Sequence, residues 1–193
     1  MKKSFLLIAI FFLGLHVNQS FAKARFNMTI HGVNTHQFMG ETVVNSRGVK
    51  SPSNIIPCLS YKFDVTNPFD PKTGKLNGGN GGKAVYKPFT IVKEVGNCSP
   101  QLLEAFRTKE KLDKIIMEFS KTDSNGIEHI YYRITLTNAQ LLEVQQFKNL
   151  QVNNNSSPDF FDLHELEQCS FNYQFILFEN LDAGTHFADD WTL

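Results

Sequence analysis

Polar and apolar residues alternate along much of the chain. Leu59, Tyr61, Phe63 and Val65 fall on every second position, with Cys58, Ser60, Lys62 and Asp64 between them. Ile130, Tyr132, Ile134 and Leu136 alternate with His129, Tyr131, Arg133 and Thr135. Cys169, Phe171, Tyr173 and Phe175 alternate with Ser170, Asn172 and Gln174. Successive side chains of a strand point to opposite faces, so each run reads as a strand with one face on a core. Further strands are expected at Phe26–His31, Thr42–Val44, Val85–Val95, Lys114–Lys121 and Leu141–Gln146. Asn125-Gly126 tolerates positive φ between two of them, so Asp123–Gly126 is expected to close a hairpin.

One segment has a helical pattern. Ser99 is placed to cap it and Pro100 suits its first position. Leu102, Leu103 and Phe106 line one side, and the helix is expected to end near Lys109. Two long loops separate these elements. Thr66–Lys83 contains NGGNGG at Asn77–Gly82, and Lys148–Asp159 is rich in Asn and Ser. The pattern predicts a mainly β, antiparallel barrel or sandwich with one short α-helix.

The first residues change the picture. Lys2 and Lys3 precede an uncharged apolar run from Phe5 to Leu15. Ala22-Lys23-Ala24 or Ser20-Phe21-Ala22 supplies the small residues of a cleavage site, so residues 1–24 read as a secretory signal peptide cut at Ala22 or Ala24. The run is shorter than the roughly 20 apolar residues a membrane span needs. Removing 24 of 193 residues leaves 169, one domain over 25–193. Three of the 19 basic residues go with the signal, leaving 16 against 19 acidic and a net charge of −3. No basic stripe points to nucleic acid. The expected location is secreted or periplasmic, with a cytoplasmic pool before secretion if the signal is not used.

Cys58, Cys98 and Cys169 allow one disulfide and one leftover thiol, or three buried thiols. Cys58–Cys98 is the preferred pair, because Cys58 sits among polar strand positions and Cys98 borders the helix. Catalytic patterns are missing: there is no G-x-S-x-G, H-E-x-x-H or P-loop. His31 and His36, His129 beside Glu128, and His164 beside Glu165 follow no metal spacing. Asp189-Asp190 reads as a contact or turn feature. No cofactor, metal site or catalytic residue is expected.

Several stretches in a fixed order carry a family resemblance. They are Asp70-Pro71-Lys72-Thr73-Gly74, the strand KAVYKPFTIV at Lys83–Val92, the helix at Ser99–Phe106, the strands over Lys114–Leu136, Ala183-Gly184-Thr185, and Ala188-Asp189-Asp190-Trp191. This order resembles the haemolysin-coregulated protein (Hcp) family, the tube component of bacterial type VI secretion, over Phe26–Leu193. The resemblance implies a two-sheet antiparallel β-barrel with one helix beside it and no active site. It implies rings of six copies that stack into a tube and carry small effectors, with other secretion-system components as partners. It assigns Asp70, Pro71, Lys72 and Gly74 to a ring-stacking loop. The chain departs from the family in its signal and in the glycines Gly78–Gly82. The second reading is therefore an exported periplasmic scaffold or carrier that forms rings without a long tube, or binds partners as a monomer.

Overall fold

The computed structural model describes residues 26–44, 50–51, 53–67, 69–70, 75–76, 84–149 and 164–190. In chain order the strands before the helix are β1 (Phe26–Gly32), β2 (His36–Gln37), β3 (Val43–Val44), β4 (Lys50–Ser51), β5 (Ile56–Lys62), β6 (Val65–Thr66), β7 (Phe69–Asp70), β8 (Lys75–Leu76), β9 (Val85–Tyr86) and β10 (Phe89–Glu94). Helix α1 (Ser99–Thr108) follows, then β11 (Leu112–Thr122), β12 (Glu128–Asn149), β13 (His164–Asn172), β14 (Phe175–Asn180) and β15 (Thr185–Asp190). The expected signal and its cleavage residues Ala22 and Ala24 lie outside the described residues.

Antiparallel pairing runs β11-β1-β5-β10-β13-β12, and β12 pairs back to β11. The path closes on itself, which removes the open edges that a flat sheet would leave. The mainly β architecture, with a single helix among the described residues, is therefore present, and closure makes it a barrel. β12 belongs to both sides of it. Its first part, from Glu128 to about Ala139, lies between β11 and β14, and its second part pairs with β13.

Two strands expected at Ile130–Leu136 and Leu141–Gln146 are thus one bent strand. The bend falls where Asn138 takes φ 51° and the register slips between Leu141 and Glu143. Asparagine tolerates that left-handed conformation, and its Nδ2 donates to Gln174 Oε1 at 2.8 Å. The Val85–Val95 strand is broken instead. Pro88 has no N–H to offer a ladder, so β9 pairs with β6 while β10 pairs with β5 and β13.

Met28, Ile30, Ile91, Met117, Ile134 and Phe171 fill the centre. Beyond them, Phe26, Tyr61 and Phe119 meet one another with ring centroids 4.8, 5.3 and 5.7 Å apart. Leu102 and Ala105 of α1 reach the core, and Lys109 closes the helix at φ 53° by donating its N–H to Ala105 and Phe106 carbonyls. Leu103 and Phe106, expected on the buried side, are exposed. The hairpin forms as read: Gly126 has φ 81°, and Asp123 Oδ1 accepts from the Asn125 and Ile127 N–H groups.

Candidate assembly surfaces and the buried polar row

The outer wall of β5, β10, β13 and β12 carries two rows in register. One, Lys62, Thr90, Ser170 and Glu143, is polar throughout; the other is Ser60, Val92, Gln168 and Gln145, polar except at Val92. Thr90 Oγ1 and Ser170 Oγ share a hydrogen bond of 3.1 Å between neighbouring strands. Ser60 and Lys62 of β5 and Ser170 of β13 thus share one face of the wall. A shallow depression of about 550 Å³ lies on it, lined by Lys62, Lys87, Thr90, Glu143 and Ser170.

The loop after β5 is a stepped hairpin. Val65–Thr66 pairs with Val85–Tyr86 at its base, and Phe69–Asp70 pairs with Lys75–Leu76 farther along. Asp70 therefore belongs to a strand, with its backbone opposite Lys75. Pro71, Lys72 and Gly74 lie outside the described residues, as does Asn77–Gly82. Asp189 holds the base of this hairpin to the barrel. Its carboxylate accepts a hydrogen bond from the Tyr86 hydroxyl, and that bond, with some burial, pushes the phenol up to about 12. The Asp189-Asp190 pair is thus a contact feature on β15.

Inside the same wall, Cys58, Lys93 and Glu167 are register partners across β5, β10 and β13, a row not singled out from the sequence, and the exposed Gln146 of β12 stands opposite Glu167. Lys93 Nζ lies 2.7 Å from Glu167 Oε2, with both side chains sealed from solvent. Ser99 Oγ accepts from Lys93 at 2.9 Å and donates to Glu167 Oε2 at 3.0 Å. Lys93 also donates to the Glu94 carbonyl, and Gln146 Nε2 donates to Glu167 Oε1 at 2.8 Å. A buried charge pair is tolerable only with its remaining donors and acceptors matched, and Ser99 and Gln146 supply those matches. Burial alone would depress the Lys93 ammonium, but the Cys98 sulfur and the Glu167 carboxylate beside it hold its pKa above the usual lysine value.

Ser99 is accordingly no helix cap. Cys98 occupies the cap position without a side-chain bond, and the Ser99 hydroxyl serves the ion pair and accepts from the Gly96 N–H. A Ser-Lys pair can act as nucleophile and base. Here the lysine is held as a cation against Glu167 and the serine is sealed, so the pair is structural.

The three cysteines are free and buried. The expected Cys58–Cys98 bridge is not formed. Leu59 is an extra residue where β5 passes β10, so Val92 faces Ser60 and Lys93 faces Cys58. That bulge swaps the faces of β5, turning Cys58 inward with Ile56 before it and Tyr61 inward after it. Burial pushes the Cys58 and Cys169 thiols far above the usual range, and Cys98 upward against the pull of Lys93. His31 Nδ1 lies 3.4 Å from Asp113, and His129 Nε2 lies 3.3 Å from Asp182. Among the described residues no three His, Cys, Asp or Glu side chains converge to hold a metal ion.

The family described as "Type VI secretion system effector, Hcp" matches residues 28–179. The chain belongs to the Hcp family. The "Major exported protein" of Pseudomonas aeruginosa is 28% identical over 131 residues, covering 68% of this chain and 72% of that one. A crystal structure of an Hcp protein superposes with a TM-score of 0.70 at 21% identity, covering 86% of this chain and 99% of the other. An Hcp1 double mutant from E. coli EAEC 042 gives 0.68, also at 21% identity, with 86% and 97% covered. The secreted protein Hcp3 of Pseudomonas aeruginosa gives 0.63 at 21%, again with 86% and 97% covered. These structures share the Hcp fold. The match takes in β12 and β13, so the buried row and the polar wall both lie within the Hcp domain.

Proposed function

We propose that this protein is a ring-forming structural subunit of a type VI secretion apparatus, six copies enclosing a channel through which small effectors pass. The observation that carries the reading is the four-strand polar wall. One row is polar from Lys62 to Glu143 and the other runs from Ser60 to Gln145 with Val92 as its one apolar member, while the opposite face of the same strands is packed core. A wall of small and polar side chains suits a wet channel that must hold cargo loosely. Head-to-tail contacts close into a ring when their rotation divides the circle. The loop containing Asp70, Pro71, Lys72 and Gly74 is the ring-stacking element in this reading.

The wall can be located in the assembly. The native thiols are buried, so a single Gln145→Cys thiol can be tagged with gold on the folded protein. Gold inside the channel of averaged rings supports the assignment, and gold on the outer rim contradicts it.

The apolar run Phe5–Leu15 behind Lys2 and Lys3 favours a second reading in the compartment alone. In that reading the protein is exported through the general secretory route and acts as a scaffold or carrier in the periplasm or outside the cell. It forms rings without a long tube, or binds partners as a monomer. Recovery of a shortened chain from the periplasm, with no long tubes, favours it. A full-length chain confined to cytoplasm until firing excludes it.

A further inference from the structure

The tip of the β1–β2 hairpin brings two histidines together. Gly32 of β1 pairs with His36 of β2, and the chain turns between them through Val33, Asn34 and Thr35. The His31 and His36 imidazoles stand 6.2 Å apart between ring centres, tilted by 46°. Asp113 of β11 puts Oδ2 3.4 Å from His31 Nδ1. A carboxylate at Nδ1 keeps the proton there and leaves the Nε2 lone pair free to bind. His36 closes the turn at φ 58°. Glycine takes that left-handed conformation at less cost, and strain of this kind concentrates at functional positions. The turn is fixed from behind. The Glu110 carboxylate accepts from the Asn34 and Thr35 N–H groups and from the Thr35 hydroxyl, each at 2.7 Å.

We infer that His31 and His36 form a two-histidine site for a first-row divalent ion, Zn²⁺, Ni²⁺ or Cu²⁺. Imidazole nitrogen suits these ions, whereas Mg²⁺ and Ca²⁺ take oxygen ligands. Two metal–nitrogen bonds of about 2.0–2.1 Å set the ring centres of two ligands roughly 5–6 Å apart. The observed spacing is at the upper end of that range, so a small rotation closes the pair on the ion. Both side chains are exposed and turn without disturbing the core. The two imidazoles are the chain's share of the coordination, and water completes it. The Asp113 and Glu110 carboxylates favour a cation here, against Lys114, which stands opposite His31 in register. A bound ion joins the end of β1 to the start of β2 and pins the turn that Glu110 holds. The inference rests on this hairpin alone and stands apart from ring assembly.

The test is calorimetric titration of zinc chloride into the untagged, chelator-stripped chain, repeated on His31→Ala and His36→Gly. The expected result is one ion per chain, with each substitution weakening binding by roughly tenfold or more. Glycine suits φ 58°, so His36→Gly should keep or raise the melting temperature without zinc. It should also lose the rise in melting temperature that zinc gives the native chain. That combination separates a ligand from a residue that merely supports the fold. No saturable binding to the native chain overturns the inference. So does equal binding in all three proteins, since the ion then sits elsewhere. Displacement of zinc by Mg²⁺ overturns it too, because carboxylates rather than imidazoles would then be the ligands. One ion per two chains does the same, since the ion would then join copies.

Discussion

Lys93 Nζ and Glu167 Oε2 are 2.7 Å apart inside the barrel, on directly opposed positions of β10 and β13. Each side chain reaches the other, and the Ser99 hydroxyl from α1 bonds both. The pair therefore ties the start of the helix to the wall.

Removing one charge strands the other in a low-dielectric interior. Glu167→Leu or Lys93→Met should destabilise the fold by about 3–5 kcal/mol. In a domain of this size that lowers the melting temperature by roughly 10 °C. The double change Lys93→Met/Glu167→Leu should cost much less than either single one. Urea unfolding of the four proteins checks this; additive losses would mean the two charges do not act as a pair.

Glu110 predicts an acid dependence. Burial raises its carboxyl, but the N–H groups of Asn34 and Thr35 and the Thr35 hydroxyl, with His36 nearby, pull it below the usual value of 4.5. A carboxyl depressed in the folded state stabilises the fold above its unfolded pKa. That contribution is lost as pH falls from about 4.5 through the lower folded value. Thermal melts from neutral pH to pH 3 should show a steeper acid loss for the native chain than for Glu110→Gln.

The buried thiols predict slow chemistry. The thiolate is the reacting species and burial disfavours it. In the purified, reduced protein a thiol reagent should modify almost nothing under native conditions and three cysteines per chain in denaturant. Peptide mapping of exported protein without reductant should return three free cysteines. A bridged Cys58–Cys98 peptide would show that export rearranges the wall at β5.

Asp189 predicts a spectroscopic signature. Asp189→Ala removes the hydrogen bond that raises Tyr86. Ultraviolet titration should then show one phenol moving down from about 12 towards the ordinary 10.0. Tyr86→Phe should abolish that transition in either background. No change on Asp189→Ala would remove the proposed fastening between β15 and the loop stem.

Much of the fold was legible in the sequence because alternation reports facing directly. The run Ile130–Leu136, the Asn125-Gly126 hairpin and the helix end at Lys109 were readable from local pattern, whereas the run Cys169–Phe175 spans two strands, β13 ending at Asn172 and β14 starting at Phe175. Bulges were not readable. Leu59 inverts the face of β5 and carried Cys58 to the wrong side, because an extra residue leaves no mark in the pattern itself. The bend in β12 was hidden for the same reason, since Asn138 and the slip after Leu141 depend on which strands flank it. Lys93 and Glu167 were missed although a signal existed. Phe89, Ile91 and Lys93 share one parity, as do Glu167, Cys169 and Phe171, so both charges stand at core positions. Ser99 fitted a cap by residue type, and only the neighbouring strands show that its hydroxyl serves the ion pair.

In the proposed assembly the chain closes rings around a channel walled by Ser60, Lys62, Thr90, Gln168 and Ser170. Negative-stain electron microscopy of the exported chain, with light scattering on the same sample, tests it most directly. Six-membered rings with an open centre and a molar mass six times that of one chain are expected. A monodisperse monomer at high protein concentration would contradict it, leaving an Hcp barrel that works without the ring.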